Sequence, residues 1–377
     1  MRPALILACC ATAVASCTSS GSGSAPALES PTVTGDTSPQ TFLEDQIARL
    51  GKPSEGATLL TWADGSGETF FVSAGEIQSH LLSPTDPIRI ASLTKAFTAA
   101  LILDLVDDGL VRLDDSAADH LSRIDVPQEV TITHLLSHRS GLPDYQPDTP
   151  LVGTPEDERM AWSPEELFAL VADEGLDFEP GARFAYNNTN FLVLAVLAEE
   201  VTGVPYHVSL RQRILEPLSL NNTYLAYYET GEEPVPGFSR AGQAPGRVAS
   251  TAGWNHTALE TATWAAGALV STVEDVTRFF EALGSAELFS EELVSAMLDA
   301  ALIPNGEDGR MDRYAYGLGV ELFDAPETVF GIRGDYPGYV TLVMHSPDDA
   351  ETWMFVSTND SFRYTTIVPQ AAQRIAG

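Results

Sequence analysis

The sequence predicts an α+β fold in which segments from both ends of the chain build one sheet around an inserted, mostly helical region. Three observations carry this. Strand patterns are confined to about residues 40–112 and 303–377. Helical patterns dominate from about Leu113 to Leu302. With 377 residues, 44% of them hydrophobic, the chain is long enough for one large domain or two lobes sharing a core, and it carries no internal repeat.

At the start, Met1-Arg2 and the apolar run Ala4 to Val14 are too short for a permanent membrane span and read as a secretory signal over residues 1–16. Val14-Ala15-Ser16-Cys17 is similar to the bacterial lipobox, in which the cysteine becomes the lipid-modified first residue; the alternative is ordinary cleavage after Ala13-Val14-Ala15. On the first reading the protein is exported and held at the outer face of the cell membrane through lipid on Cys17 alone; on the second it is secreted. Cys9, Cys10 and Cys17 are the only cysteines, so the body of the chain forms neither a disulfide nor a thiolate metal site. Residues 17–39, rich in Ser, Gly, Thr and Pro, read as a flexible tether, and about 20 such residues span on the order of 25 Å. A single domain follows over residues 40–377.

Within it, the patterns predict an amphipathic helix near Phe42 to Leu50, a strand Thr58 to Trp62, a turn at Asp64-Gly65-Ser66-Gly67 and a strand Thr69 to Ser73. Ser92 to Asp108 is apolar nearly all round, which predicts a buried central helix with Gly109 as its cap. Helices follow at Ile132 to Ser137, Pro164 to Asp173, Asn190 to Thr202 (ending at Gly203) and Val273 to Leu283. Strand patterns return at Tyr316 to Leu322, Val329 to Arg333, Tyr339 to His345 and Thr352 to Ser357, before a final helix near Thr365 to Ile375.

The 53 acids against 20 bases give a formal charge of −33, which excludes a nucleic-acid surface, because that affinity comes from Lys and Arg neutralising phosphates. The acidic excess itself speaks to solubility and not to chemistry.

Ser92-Leu93-Thr94-Lys95 places a hydroxyl and an amine three positions apart at a helix start, on one face, where the amine can take the hydroxyl proton. As a plain N-cap, Ser92 would call for Glu or Gln at position 95. A lysine there meets the positive end of the helix dipole and is desolvated by a buried helix, and both effects lower its pKa, as suits a general base. Tyr186 and Asn188 lie on the loop entering the helix that begins near Asn190. Alone they read as a half-buried anchor and an N-cap. Beside the Ser-x-x-Lys pair they supply a phenol to shuttle a proton and an amide to orient a substrate.

With Ile90-Ala91-Ser92-Leu93-Thr94-Lys95, His134 to Leu142, Tyr186-Asn187-Asn188-Thr189-Asn190-Phe191 and Tyr316-Gly317-Leu318-Gly319 in this order, the chain resembles the serine β-lactamase and D-alanyl-D-alanine carboxypeptidase superfamily, in the penicillin-binding-protein-like, class C-like branch that carries Tyr-x-Asn. The resemblance implies a β-lactamase/transpeptidase-like fold: a central antiparallel sheet flanked by helices, a mostly helical lobe, and a cleft with Ser92 at its floor. It further implies that Ser92 attacks an acyl carbonyl, that Lys95 and Tyr186 move the protons, and that Asn188 positions the substrate. The implied substrate is a D-alanyl peptide of the cell wall, with a β-lactam or an ester as the alternative. No cofactor is implied.

The family's third motif, Lys-Thr-Gly or His-Thr-Gly on an edge strand, falls here on Ile332-Arg333-Gly334, of which only the glycine remains. Arg333 either binds an anionic substrate group or fills the cleft of a protein that binds without hydrolysing. The family's oxyanion hole maps to the backbone N–H groups of Ser92 and Asp335, and the Asp335 side chain argues against a free carboxylate on the substrate unless Arg333 neutralises it. Trp264 is a candidate for the cleft wall, with the core as its other reading. His134 and His138, four apart, lack the base and third ligand of a zinc site, and His138 and Arg139 read as satisfied partners beneath the cleft. No Gly-x-Ser-x-Gly elbow occurs, which removes the α/β-hydrolase alternative.

Overall fold

A computed structural model describes residues 38–146, 161–241, 243, 246–299, 314–323, 325, 327–362, 371 and 374. The signal over residues 1–16, Cys17, nearly all of the tether and most of the final helix lie outside the described residues. Helix α1 spans Pro39–Leu50, three residues earlier than the pattern predicts, because Ser38 accepts from the Thr41 N–H at 3.3 Å and Pro39 sits in the first turn.

Strands β1 (Gly56–Ala63) and β2 (Thr69–Glu76) form the expected hairpin. After the short β3 (Ile88–Arg89) and a 3-10 turn at Ala91–Leu93 comes the central helix α2 (Thr94–Asp107). Its C-terminus is a Schellman cap: Gly109, at φ 69°, donates to the Val106 carbonyl at 2.9 Å, and Leu110 donates to Leu105 at 3.0 Å. The helical region holds α3 (Ile132–Leu136), α4 (Pro164–Ala169), α5 (Thr189–Thr202), α6 (Tyr206–Leu210), α7 (Thr257–Gly267), α8 (Val273–Gly284) and α9 (Glu291–Leu298). It also contains short strands that the patterns do not reveal: β4 (Tyr224–Leu225), β5 (Phe238–Ser239), β6 (Ala249–Ser250) and β7 (Leu269–Ser271). Of these, β7 lies between β3 and β4 and so ties the approach to Ser92 to the lobe.

The predicted strand Tyr316 to Leu322 is instead two strands, β8 (Tyr314–Tyr316) and β9 (Glu321–Phe323). Gly319, at φ 86°, turns the chain between them, and a Cβ there would lie 2.2 Å from the Ala99 Cβ of α2. The backbone thus dips to touch the central helix, which no side-chain pattern records. Then β10 (Val329–Tyr336), β11 (Tyr339–Ser346) and β12 (Glu351–Ser357) complete a seven-stranded antiparallel sheet in the order β2-β1-β12-β11-β10-β9-β8. One face packs on α1, where Phe42 meets Trp62 edge-on at 5.4 Å. The other packs on α2 and α8, where Phe97 and Phe279 stack at 3.7 Å. With lobe on one side and sheet on the other, α2 is buried all round. Its N-terminal residues therefore lie buried at the junction of the two.

Candidate active site

Ser92 is not a helix cap. The N-cap of α2 is Leu93, and Ser92 sits within the 3-10 turn behind Ala91, whose φ of 53° lies in the left-handed region. A non-glycine residue held there stores about 1–3 kcal/mol of strain, so its surroundings must over-determine it. They do: Thr94 Oγ1 donates to the Ala91 carbonyl at 2.7 Å, Thr341 Oγ1 donates to the Ile90 carbonyl at 3.1 Å, and the Leu269 N–H donates to Thr94 Oγ1 at 3.2 Å. Strands β11 and β7 thereby fix the Ser92 turn from both sides.

Lys95 is wholly buried, and its amine has three oxygen neighbours: the Ala266 carbonyl at 2.8 Å, Asn188 Oδ1 at 3.0 Å and Ser92 Oγ at 3.2 Å. Burial lowers its pKa to about 7, against an opposing pull from Asp144. The first two oxygens can only accept; the hydroxyl can also donate. A neutral amine that gives its two hydrogens to Ala266 and Asn188 therefore turns its lone pair to the Ser92 hydroxyl, which is the arrangement a general base needs. The Ala266 carbonyl has no intrahelical donor because α7 ends at Gly267, and Lys95 satisfies it; around the break at Trp264, at φ 32° and ψ −119°, Thr98 donates to the Ala265 carbonyl at 2.7 Å and Tyr145 to that of Ala262 at 2.6 Å.

Tyr186 lies across the amine, its ring centroid 4.8 Å from Nζ, and its hydroxyl feels Ser92 beside it. The residue is 41% exposed, yet desolvation pushes the hydroxyl pKa well up against the lowering contact with Ser92, so Tyr186 stays a phenol at neutral pH. His138 supports that ring at 4.4 Å. Buried and 3.1 Å from the Asn187 N–H, its Nδ1 is an acceptor, leaving Nε2–H to face the Tyr316 hydroxyl at 3.2 Å. Burial, and then the charge of Lys95, hold its pKa well below the ordinary value, so it is a neutral strut beneath the cleft. His134 serves α3 instead, its Nδ1 accepting from the Thr131 N–H at 3.3 Å.

Asn188 occupies the cap position of α5 without capping it. Its Nδ2 donates to Asp144 Oδ2 at 3.1 Å and to Gln146, and its backbone N–H donates to Asp144 Oδ1 at 3.2 Å. Asp144 and Gln146 are missed by sequence reasoning, although Asp144 stands directly behind the Gly141-Leu142-Pro143 turn of a block already singled out. Burial raises the Asp144 pKa, and its hydrogen bonds with the Gln146 and Asn188 N–H groups, followed by the Lys95 charge, draw it back down.

The sheet contributes β10, which lies against the nucleophile's turn at Gly334, where a Cβ would stand 2.6 Å from the Ile90 carbonyl and 2.9 Å from the Ala91 Cβ. Ile332 is fully buried in the core. Arg333 Nε donates to Glu321 Oε2 of β9 at 2.6 Å, with the two side chains 21% and 6% exposed. Asp335 is exposed on the following turn of the pleat, and β9 pairs with β10 only over Val329–Gly331, so the strand edge beside Ser92 is open among the described residues. Trp264, a candidate for the cleft wall, is corrected: it is 3% exposed and packs edge-on against Tyr206 at 5.3 Å, because the break in α7 turns its ring into the core. A cavity of about 540 Å³, lined by Pro87, His207, Arg211, Tyr224 and Tyr228 among others, contains none of the site residues.

The family model Beta-lactamase matches residues 58–373. Penicillin-binding protein 4* of Bacillus subtilis (strain 168) is 27% identical over 76% of the chain and 64% of that protein, and Penicillin-binding protein 4 of Amycolatopsis lactamdurans is 31% identical over 45% of the chain and 44% of that protein. The chain thus spans less than two thirds of the length of these relatives. Among solved structures, a D-stereospecific amidohydrolase from Streptomyces sp. superposes with a TM-score of 0.74 at 25% identity, covering 88% of this chain and 97% of that one. A D-amino acid amidase from Ochrobactrum anthropi SV3 gives 0.71 at 26% identity, covering 85% and 90%.

Replacing Gly334 by Ala forces β10 off the Ser92 turn. A displacement near 1 Å at a reacting centre costs about 100-fold, so acylation of Ser92 by an active-site probe in Gly334→Ala falls by about that factor, measured against a thermal melt that shows the protein folded.

Proposed function

Since the chain belongs to the Beta-lactamase family, we propose that it is a serine hydrolase that forms an acyl-enzyme on Ser92. The observation that carries this reading is the Lys95 amine, 3.2 Å from Ser92 Oγ with a pKa lowered to about 7. Neutral Lys95 takes the hydroxyl proton as Ser92 Oγ bonds to the acyl carbon. The developing oxyanion is received by the backbone N–H groups of Ser92 and Asp335. As the leaving group departs, the proton held by Lys95 passes to it through the Tyr186 phenol. Water then attacks the ester, gives its proton back along the same path, and releases the acid with Ser92 restored.

For the substrate, we favour neutral amides and esters of the D-amino-acid type over peptides that end in a free carboxylate. A free carboxylate calls for a hydroxyl or a cation at the third motif to receive it. Here Ile332 takes the basic position and is buried, and the Arg333 charge is already met by Glu321 at 2.6 Å. The names of the two amide-cleaving relatives agree with this preference. The absence of a basic group at Ile332 also motivates the second reading, a binding or sensor protein with impaired turnover.

Intact mass after exposure to a penicillin and, separately, to a fluorophosphonate tests the central step. The hydrolase reading predicts a covalent adduct on the wild type and none on Ser92→Ala; no adduct from either reagent would favour the binding protein. Substrate choice is read separately: Glu321→Gln removes the carboxylate that Arg333 Nε meets, and one charge-assisted hydrogen bond is worth about 1.5–3 kcal/mol, so KM for a D-alanyl-D-alanine peptide falls by about tenfold while that for a neutral ester stays put. Equal changes for both substrates would contradict the preference.

A further inference from the structure

We propose that Asp144 is the positioning residue of this site: it locks the Asn188 amide in one orientation and places a counter-charge beside Lys95. The proposal rests on the reading of Lys95 as the base for Ser92.

An asparagine amide can present its oxygen or its NH₂ to a neighbour by a half-turn, and only the oxygen can receive a lysine hydrogen. The lone pair of a neutral Lys95 could receive an NH₂ hydrogen instead, so the amine alone does not fix the choice. The decision is made on the far side of Asn188. Asp144 Oδ2 receives Nδ2–H at 3.1 Å, and Oδ1 receives the Asn188 backbone N–H at 3.2 Å. An ionised carboxylate only accepts, so the NH₂ must face Asp144 and Oδ1 must face the amine, 3.0 Å away. The carboxylate is held in turn by the Gln146 N–H at 3.2 Å. Gln146 also accepts from Nδ2, on the same side.

The same chain carries charge. Several titratable groups face Lys95 or its immediate neighbours: His138 from the end of α3, Tyr186 from the loop before α5, and Asp144 from the loop after α3. Beyond Tyr186 stands the Arg333–Glu321 pair on β10 and β9, which meets its own charge. His138 and Tyr186 are held neutral by burial. Asp144 is the carboxylate whose field bears on the amine, opposing desolvation. Without it, Lys95 would be a weaker base, and Asn188 would no longer steer the amine's hydrogens away from Ser92.

Lysine NMR tests this without relying on catalysis. The chain has two lysines, Lys52 and Lys95, so lysine labelled with ¹³C at Cε gives two resonances, one of them an internal control. In Asp144→Asn the Lys95 midpoint falls by about one pH unit, Asp144→Glu restores most of it, and Lys52 does not move. An unmoved Lys95 midpoint in folded Asp144→Asn overturns the proposal. Should that variant fail to fold, the wild type decides: Lys95 shows a second, smaller inflection in the acid range as the buried carboxylate is protonated, and a single inflection overturns the proposal. Fluorophosphonate labelling of the same wild-type sample separates the two levels. No label refutes the hydrolase reading and the proposal with it, whereas label with an unresponsive Lys95 refutes Asp144 alone.

Discussion

A single buried amine constrains this structure. Moving an ammonium out of water costs several kcal/mol unless the protein supplies oxygens in its place, and three separate elements are bent to supply them around Lys95. Helix α7, broken at Trp264, ends at Gly267 and leaves the Ala266 carbonyl to the amine. The loop before α5 gives up a side-chain cap so that Asn188 can turn its oxygen to the amine. The turn ahead of α2 holds Ala91 in the left-handed region so that Ser92 faces Lys95 and does not cap the helix. Three local irregularities therefore converge on one group, which is where strain at a functional site is expected to collect.

The sheet's contribution is of another kind. Strand β10 approaches the nucleophile as backbone, and Gly334 is what permits the approach. Side chains beside it can change while the strand stays in place. Ile332 fills the core, and Arg333 is absorbed by Glu321 on the neighbouring strand. An oxyanion site made of N–H groups survives such changes, whereas recognition of a substrate carboxylate does not. On the proposed reading, chemistry and selectivity are carried by different atoms of one strand.

Much of this was legible in the sequence, for reasons that can be named. The all-round apolar run behind Ser92 could only be a helix buried on every side, and Gly109 marked its end. A lysine in the first turn of such a helix had no structural use, so its charge conflict pointed to chemistry. What could not be read was whatever depended on backbone shape. Ala91 and Trp264 give no warning of positive φ, since neither is a glycine. The Ala266 carbonyl has no side-chain signature at all. Tyr316 to Leu322 kept strand chemistry through a turn that exists because Gly319 must touch Ala99. Trp264 was ambiguous between cleft and core until the break in α7 decided for the core. Asp144 was visible as a residue but not as a partner, because its role arises only when the loop after α3 meets the start of α5.

Lys95 must be neutral when Ser92 reacts, and the pH dependence of Ser92 acylation by an uncharged fluorophosphonate tests this most directly. Because the neutral amine is the active form, the rate rises with pH through one ionisation near the Lys95 value of about 7 and then levels off. A rate that climbs without a plateau through the ordinary lysine range would show that Lys95 stays charged and that some other base activates the serine.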